Sequence, residues 1–290
     1  MKSAKKWQAG YTIVETMIFL IISSALLLSA IGLFDPRIRS TQFSQSVQEL
    51  ATHIRSVSNE ASTGTYPDTP GFTCSVDPTG VPQTGLSSAT DDQGTRNDCI
   101  FVGKVMNFTV KNGAGCKDPI VSANCGSIDV YTAVGRRELD PIAHTPVTNI
   151  AQANPRLVLT PDITENFTLG YGTHVIGLYQ IDGSGTNPPK AVNSAGFFQS
   201  SGGSYTNGAL TSGSQNITTW GIATTIAGAQ SRTEQDVNSD ISTPSNLLDA
   251  SKGGLLVCVQ SGSVSRKAGI TIGAVNESFA VSVIMDDSRC

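Results

Sequence analysis

The chain has few charged and few aromatic residues for its length. Of its 290 residues 14% are charged and 6% aromatic, and the net charge is −4. A protein that holds nucleic acid by bulk electrostatics has an excess of basic residues, so the acidic balance argues against that class. The chain also lacks CxxC spacing, and its three histidines, His53, His144 and His174, are scattered. This distribution argues against a zinc site.

Small hydroxyl residues and glycine are abundant instead. The sequence contains 33 serines, 30 threonines and 29 glycines. This composition is uncommon for a cytosolic enzyme and is typical of a secreted protein rich in strands and loops. The length allows one or two domains with a sizeable core.

Six cysteines follow a long apolar stretch near the N-terminus, and their even number favours disulfides in an oxidising compartment. They are Cys74, Cys99, Cys116, Cys125, Cys258 and Cys290. Six cysteines allow 15 pairings, so the connectivity stays open. Proximity along the chain favours Cys116–Cys125 and Cys74–Cys99, which leaves Cys258–Cys290. Free buried thiols are the alternative for some of them.

The apolar stretch covers residues 11–34 and contains one charged residue, Glu15. As a helix it would be roughly 36 Å long, enough to cross a bilayer. Three lysines precede it, which predicts a cytoplasmic N-terminus, although Arg37 and Arg39 follow the stretch. A secretory signal peptide cut near Ala30 and a plain membrane anchor are alternatives. The stretch exceeds a usual signal-peptide core, and neither alternative explains Glu15.

The lysine-rich leader, Gly10, Tyr11, the TIV tripeptide and Glu15 together resemble the class III signal of type IV pilins and pseudopilins. The resemblance implies cleavage after Gly10 by a prepilin peptidase and methylation of Tyr11. It also implies that Glu15 is the assembly residue, which would pair with the N-terminal amine of a neighbouring subunit. The pattern LLVCVQSGSVSRKAGITIG at residues 255–273 is similar to the last strands of minor pseudopilins of the GspH/FimT type.

A second helical pattern follows Asp35-Pro36, where we expect proline to interrupt the first helix. Apolar residues recur every three or four positions and form one stripe of an amphipathic helix: Phe43, Val47, Leu50, Ile54, Val57 and Ala61. Residues 66–98 are rich in turn residues and predict a long loop. Strands are predicted at residues 99–110, 127–134, 156–160 and 174–181, with a C-terminal meander at residues 255–259, 268–273 and 279–285.

These elements predict an α+β, pilin-like fold. In it one long N-terminal helix, with a membrane-spanning half and an amphipathic half, packs on an antiparallel β-sheet head with long loops. The expected organisation is a leader at 1–10, a transmembrane or filament-core helix at 11–34, an amphipathic helix at 35–64 and a disulfide-stapled head at 65–290.

No arrangement of acids, histidine and nucleophile suggests catalysis, so we expect no enzyme activity, cofactor or metal. Asp91-Asp92 and Asp286-Asp287 are weak calcium candidates, and residues 236–240 resemble a calcium loop without its glycine and distal glutamate. Arg266-Lys267 is a thin candidate for DNA contact, since some FimT-like proteins bind DNA through basic C-terminal elements.

The function predicted from the resemblance is a structural subunit, a minor pilin or pseudopilin, of a type IV pilus or type II secretion-like filament. A major pilin, a tip adhesin and a DNA-uptake subunit are the alternatives. Implied partners are other pilin subunits, the prepilin peptidase, the inner-membrane assembly machinery and membrane lipid before assembly, with a host-cell surface or DNA as further candidates. The implied location is the cytoplasmic membrane as a single-pass protein, and then an extracellular or periplasmic filament.

Overall fold

The computed structural model describes residues 12–64, 72–86, 99–108, 126–140, 143, 145–160, 163–181, 189–199, 217–224, 233–250, 253–262, 266–275 and 278–290. Side chains are described at these positions except at residues 30–36, 72, 86, 140 and 274–279. The chain forms two compact units, Met1–Gln42 and Phe43–Cys290. We call the second one the head.

Helix α1 is the longest element and covers Ile13–Thr63. It continues through Asp35 and Pro36, so the predicted interruption there is wrong. A proline removes one helical N–H donor, but hydrogen bonds before and after it can maintain the helix. The stripe from Phe43 to Ala61 is buried, as its spacing predicts, with each of its six side chains at most 1% exposed.

Within the part of the chain that the structure describes, no helix is both long enough and apolar enough to cross a membrane. The predicted transmembrane helix and the predicted single-pass location in the cytoplasmic membrane are therefore wrong.

The largest sheet is antiparallel and has seven strands, in the order β13-β12-β11-β3-β4-β7 with β8 paired to β4. Its strands are β3 (Cys99–Phe108), β4 (Ser127–Arg136), β7 (Arg156–Leu157), β8 (Glu165–Thr168), β11 (Ser194–Gln199), β12 (Ile217–Ile222) and β13 (Leu247–Asp249). Strands β3 and β4 form its longest pair, from Cys99 opposite Arg136 to Phe108 opposite Ile128.

A five-stranded antiparallel sheet has the order β10-β9-β14-β15-β16. Its strands are β9 (His174–Gln180), β10 (Lys190–Val192), β14 (Leu255–Gln260), β15 (Lys267–Val275) and β16 (Ser278–Met285). The last three are consecutive neighbours, so the C-terminal meander is present as predicted.

Two hairpins complete the strands of the described residues: β1 (Phe72–Val76) with β2 (Pro82–Leu86), and β5 (Glu138–Asp140) with β6 (Thr145–Pro146). The β1–β2 hairpin corrects the prediction of a continuous loop at residues 66–98. Asp77 forms its turn, because its Oδ1 accepts hydrogen bonds from the backbone N–H groups of Thr79 and Val81. The short helices are α2 (Ile150–Ala153) and α3 (Glu234–Ile241), with a 3₁₀ turn at Pro244–Asn246.

The seven-stranded sheet is buried on both faces because its side chains alternate between two hydrophobic clusters. Met106 of β3 and Phe197 of β11 join the cluster that holds the second half of α1 and the inner face of the five-stranded sheet. Val105 and Phe198, each next in sequence to one of them, join a second cluster with Val237 of α3.

The pilin-like fold predicted from the sequence is therefore wrong. More of the described residues lie in strands than in helices, and these strands form four sheets. The buried half of α1 shares one core with residues from two large sheets, instead of packing on a single sheet.

Two disulfides cross-link the described part of the head. Cys74 of β1 is bonded to Cys99 at the start of β3, and Cys258 of β14 is bonded to Cys290. Proximity along the sequence favours the first pairing, and the second is the one that the two proximal pairs leave. Cys116 and Cys125, the other pair that proximity favours, lie outside the described residues.

Candidate functional site

The first part of α1, residues 13–28, presents large apolar side chains to solvent, and we call it the apolar segment. Ile13 is 76% exposed, Phe19 is 70% exposed and Leu28 is 70% exposed. Monomeric soluble proteins rarely expose a large contiguous apolar surface, so such a surface marks an interaction site.

The exposed apolar residues of this segment surround the helix. Six consecutive residues, Met17 to Ile22, are each more than half exposed. Because successive residues of an α-helix are separated by about 100°, six of them cover every direction around the axis. A flat partner on one side would therefore leave much of the apolar surface in water.

Two hydroxyl groups within the apolar segment, those of Thr16 and Ser24, are satisfied by the helix itself. Thr16 Oγ1 donates to the carbonyl oxygen of Ile13 at 2.8 Å, and Ser24 Oγ donates to that of Leu20 at 2.7 Å. Hydroxyls bonded to the preceding turn need no partner from outside the helix. They are therefore compatible with apolar surroundings.

Glu15 belongs to a capping box at the N-terminus of α1. Thr12 N donates to Glu15 Oε2 at 3.0 Å, and Glu15 N donates to Thr12 Oγ1 at 3.3 Å. Thr12 Oγ1 also donates to Glu15 Oε2 at 3.1 Å. Because these bonds favour the ionised carboxylate, the backbone bond most strongly, they hold the pKa of Glu15 below its ordinary value.

The sequence itself contains a signal for this cap. Thr12 and Glu15 have the S/T-x-x-E spacing of a capping box directly before an apolar helix. The cap satisfies two N–H groups that would otherwise lack partners at the helix start. Glu15 Oε1 has no hydrogen-bond partner among the residues that the structure describes. Gly10 and Tyr11, the predicted processing residues, lie outside those residues.

The basic pair considered for DNA contact is engaged within the head. Arg266 forms an ion pair with Asp286 through Nη2 and Oδ2 at 2.6 Å, and its Nε also donates to Asp286 Oδ1. Lys267 Nζ donates to the carbonyl oxygen of Cys290 at 2.8 Å. A phosphate would have to compete with these partners.

The calcium candidates also have other contacts. Asp287 is paired with Arg289 at 2.6 Å, and residues 236–240 belong to helix α3. Asp236 forms a capping box with Thr233, and Asp240 accepts a hydrogen bond from Asn246. Asp91 and Asp92 lie outside the described residues, within which no cluster of histidine, cysteine and acidic side chains could hold a metal ion.

Comparisons with known proteins assign the chain to no family. No protein-family model, no curated protein and no solved structure matches the chain.

Proposed function

We propose that this protein is a structural subunit of a filament of the type IV pilus or type II secretion kind, a minor pilin or pseudopilin that assembles through the apolar segment. The observation that carries the proposal is the exposure of large apolar side chains on all sides of residues 13–28. A helix that is apolar all round needs apolar surroundings in every direction. A bundle of such helices from many copies supplies those surroundings.

The division of α1 supports the same interpretation. Its stripe from Phe43 to Ala61 is buried in the core of the head, whereas the apolar segment is exposed. Burying an exposed leucine or phenylalanine side chain contributes about 1.5–3 kcal/mol, so about a dozen such residues provide a large driving force for association. The helix-satisfied hydroxyls of Thr16 and Ser24 would not oppose this burial.

Glu15 gives the proposed association a defined register. It is the only charged residue of the apolar segment, and bonds from Thr12 keep it ionised. In a helix bundle an isolated carboxylate is unfavourable unless a cation pairs with it. Cleavage after Gly10 would create such a cation, the amine of Tyr11 on a neighbouring subunit. Oε1 of Glu15 has no partner among the described residues and would accept its hydrogen bond.

The test compares two substitutions of exposed apolar residues in cells that produce the filament. Leu27→Lys places a charge in the apolar segment, where Leu27 is 63% exposed, and Ile284→Lys places one on the head, where Ile284 is 46% exposed. We expect sheared filaments to contain the Ile284→Lys protein at the wild-type level and to lack the Leu27→Lys protein. Wild-type amounts of Leu27→Lys in filaments, or no wild-type protein in any filament, would refute the proposal.

Mass spectrometry of the N-terminal peptide tests the processing step separately. A methylated chain that begins at Tyr11 supports the proposal. A mature chain that begins after Ala30 would lack both Glu15 and the whole apolar segment, and would overturn it.

A further inference from the structure

Strand β16 (Ser278–Met285) lies at an edge of the five-stranded sheet. Among the described residues it pairs only with β15, so the backbone groups on its other side are open to a further strand. The strand is eight residues long and contains neither a charged residue nor a proline. Natural edge strands are usually short or carry such residues, which prevent pairing with another chain. Strand β16 lacks both kinds of protection.

The other edge strands of the two large sheets have that protection. Strands β10 and β13 have three residues each, and each includes an exposed charged residue, Lys190 in β10 and Asp249 in β13. Strand β7 has two residues, and the four-residue strand β8 begins with the exposed Glu165. Of the edge strands that the structure describes in these sheets, only β16 is both long and uncharged.

The hydrogen bonds to β15 show which residues of β16 face the open edge. Asp286 N, one residue beyond β16, donates to the carbonyl oxygen of Lys267 at 2.8 Å, so these two residues form a hydrogen-bonded pair. In an antiparallel ladder such pairs alternate with pairs that exchange no hydrogen bonds. The backbone N–H and C=O groups of Val281, Val283 and Met285 therefore point away from β15.

Arg55 of helix α1 supports this direction and occupies one of the groups. Its Nη2 donates to the carbonyl oxygen of Val281 at 2.7 Å, which places that oxygen on the open side of β16. The backbone groups of Val283 and Met285 have no partner on that side among the described residues. A carbonyl oxygen has two lone pairs, so Val281 can accept a second hydrogen bond.

The open edge is complementary to a second copy of itself. If two β16 strands run antiparallel with Val283 opposite its own copy, Val281 lies opposite Met285 of the second copy. Each donor on the open edge of these residues then meets an acceptor of the other copy, with about six hydrogen bonds in all.

The side chains match in the same register. On the core side, Val283 faces its own copy, and Val281 faces Met285 of the second copy; all of them are half-buried at the edge of the apolar core. On the opposite side, Ser282 faces Ile284 of the second copy. Ile284 is 46% exposed, so the second copy covers apolar surface that is in water in one chain alone.

Arg55 favours this register over one centred on Val281. A pair centred on Val281 would bring the two Arg55 guanidinium groups together at the two-fold axis, where like charges repel. With Val283 at the axis, the two Val281 residues are about 13 Å apart, at about 3.4 Å per residue along the strands. The repulsion is then largely screened by salt.

We propose that two copies of this protein associate through an antiparallel pair of β16 strands centred on Val283. The pairing joins two five-stranded sheets into one continuous sheet across a two-fold axis. An interface formed by one pair of strands is small, so we expect a weak dimer with a Kd between about 10 μM and about 1 mM. The pairing uses residues of the head alone, so it goes beyond the proposed assembly function and does not depend on it.

The first test is disulfide cross-linking of full-length chains in a mild detergent. All chains carry Leu27→Lys, which suppresses association through the apolar segment and separates this test from that of the proposed assembly. Chains with Ser282→Cys are mixed with chains with Ile284→Cys and oxidised mildly. We expect a cross-linked dimer, because the two positions are directly opposite with Cα atoms about 4.5 Å apart.

Each cysteine variant alone is the matched control. In the proposed register two copies of residue 282, or two copies of residue 284, are diagonal neighbours about 7–8 Å apart, which exceeds the usual span of a disulfide. We therefore expect at least about fivefold less dimer in either variant alone than in the mixture. Absence of cross-links in the mixture, or equal cross-linking in a single variant, would overturn the proposal.

The second test is sedimentation velocity of the Leu27→Lys chain without added cysteines. Ile284→Lys places a cation of each copy beside the other and should weaken the dimer by about tenfold or more. Tyr171→Lys is the control, because Tyr171 is equally exposed, at 47%, and precedes β9, which two strands separate from β16. It should leave the Kd unchanged. Absence of a dimer at chain concentrations up to about 1 mM, or an unchanged Kd in Ile284→Lys, would contradict the pairing.

Discussion

Thr12 and Glu15 form reciprocal hydrogen bonds at the start of helix α1. Thr12 N donates to the Glu15 carboxylate at 3.0 Å, and Glu15 N donates to the Thr12 hydroxyl at 3.3 Å. This reciprocal pair gives Glu15 a local role in addition to the intersubunit role that we propose. The two roles need different properties of the side chain. Capping needs a hydrogen-bond acceptor, whereas pairing with an amine needs a negative charge.

Glu15→Gln separates these roles because glutamine can still complete a capping box but has no charge. If Glu15 pairs with the amine of a neighbouring subunit, the variant should be processed normally and be absent from sheared filaments. Immunoblots of the sheared fraction against the cell fraction measure this ratio.

Thr12→Val is the matched control, because it removes the cap hydroxyl and retains the Glu15 charge. We expect this variant to enter filaments at close to the wild-type level. The opposite pattern, with Glu15→Gln assembled and Thr12→Val excluded, would assign Glu15 to helix capping alone.

Periodic patterns in the sequence predict the elements that depend on local spacing, namely the amphipathic helix and the C-terminal meander of adjacent strands. The three- and four-residue spacing from Phe43 to Ala61 placed a buried helical stripe correctly, because burial on one face imposes that period. The C-terminal meander was predictable because three apolar runs are separated by short turns. How two large sheets share one core with α1 depends on contacts between distant residues, which no local pattern specifies.

The incorrect local predictions have specific causes. Asp77-Pro78-Thr79-Gly80 is a turn signal between two possible strands, and Gly80 has the positive φ of 80° that such a turn needs. The prediction of a continuous loop there gave too much weight to turn residues. The position of β16 at the edge of its sheet could not be predicted, because the strand order β10-β9-β14-β15-β16 includes a pairing between strands that are far apart in sequence.

Lys104 of the largest sheet forms ion pairs with a residue of α1 and with a second residue of the sheet. Its Nζ lies 3.1 Å from a carboxylate oxygen of Glu60 and 3.1 Å from one of Glu165, and its side chain is 11% exposed. Lys104→Met would leave two nearby carboxylates without their shared cation. Since both carboxylates are well exposed, solvent screens part of the effect, and we expect a loss of about 1–3 kcal/mol in the free energy of unfolding by urea. Lys190→Met, at an exposed position, should change it by less than about 0.5 kcal/mol.

His53 should make the head less stable in mild acid. Its ring stacks on Phe167 with centroids 4.3 Å apart, and burial lowers its pKa from the ordinary value of 6.5, although Glu165 and Glu60 oppose this shift and Lys104 adds to it. The unfolded chain therefore binds a proton more readily than the folded chain, and stability falls as the pH decreases below about 6.5.

His53→Phe retains a ring against Phe167 and cannot titrate. We expect the urea midpoint of the wild type to fall more between pH 7.5 and pH 5 than that of His53→Phe. Equal slopes for the two proteins over this range would show that His53 does not control the acid sensitivity.

The Cys258–Cys290 disulfide fixes the C-terminal residues to strand β14 across a sequence separation of 32. In the chain-entropy model, a closed loop of this size stabilises a protein by about 3–4 kcal/mol. The double variant Cys258→Ser with Cys290→Ser should lose about that amount in urea unfolding. A loss below about 1 kcal/mol would indicate that packing alone holds the C-terminal segment in place.

Gly269 of strand β15 provides space for the carboxylate of Asp287, because a Cβ at residue 269 would collide with Asp287 Oδ2 and lie 3.0 Å from Leu256 Cδ1. Asp287 cannot move freely, since Arg289 holds it with an ion pair at 2.6 Å. We expect Gly269→Ala to cost about 1–3 kcal/mol, the usual range for overpacking, in urea unfolding. Gly170→Ala is the matched control, because nothing lies within 4 Å of the added Cβ there, and it should cause no loss. If the collision with Asp287 is the cause, adding Asp287→Ala to Gly269→Ala should destabilise less than the sum of the two single changes.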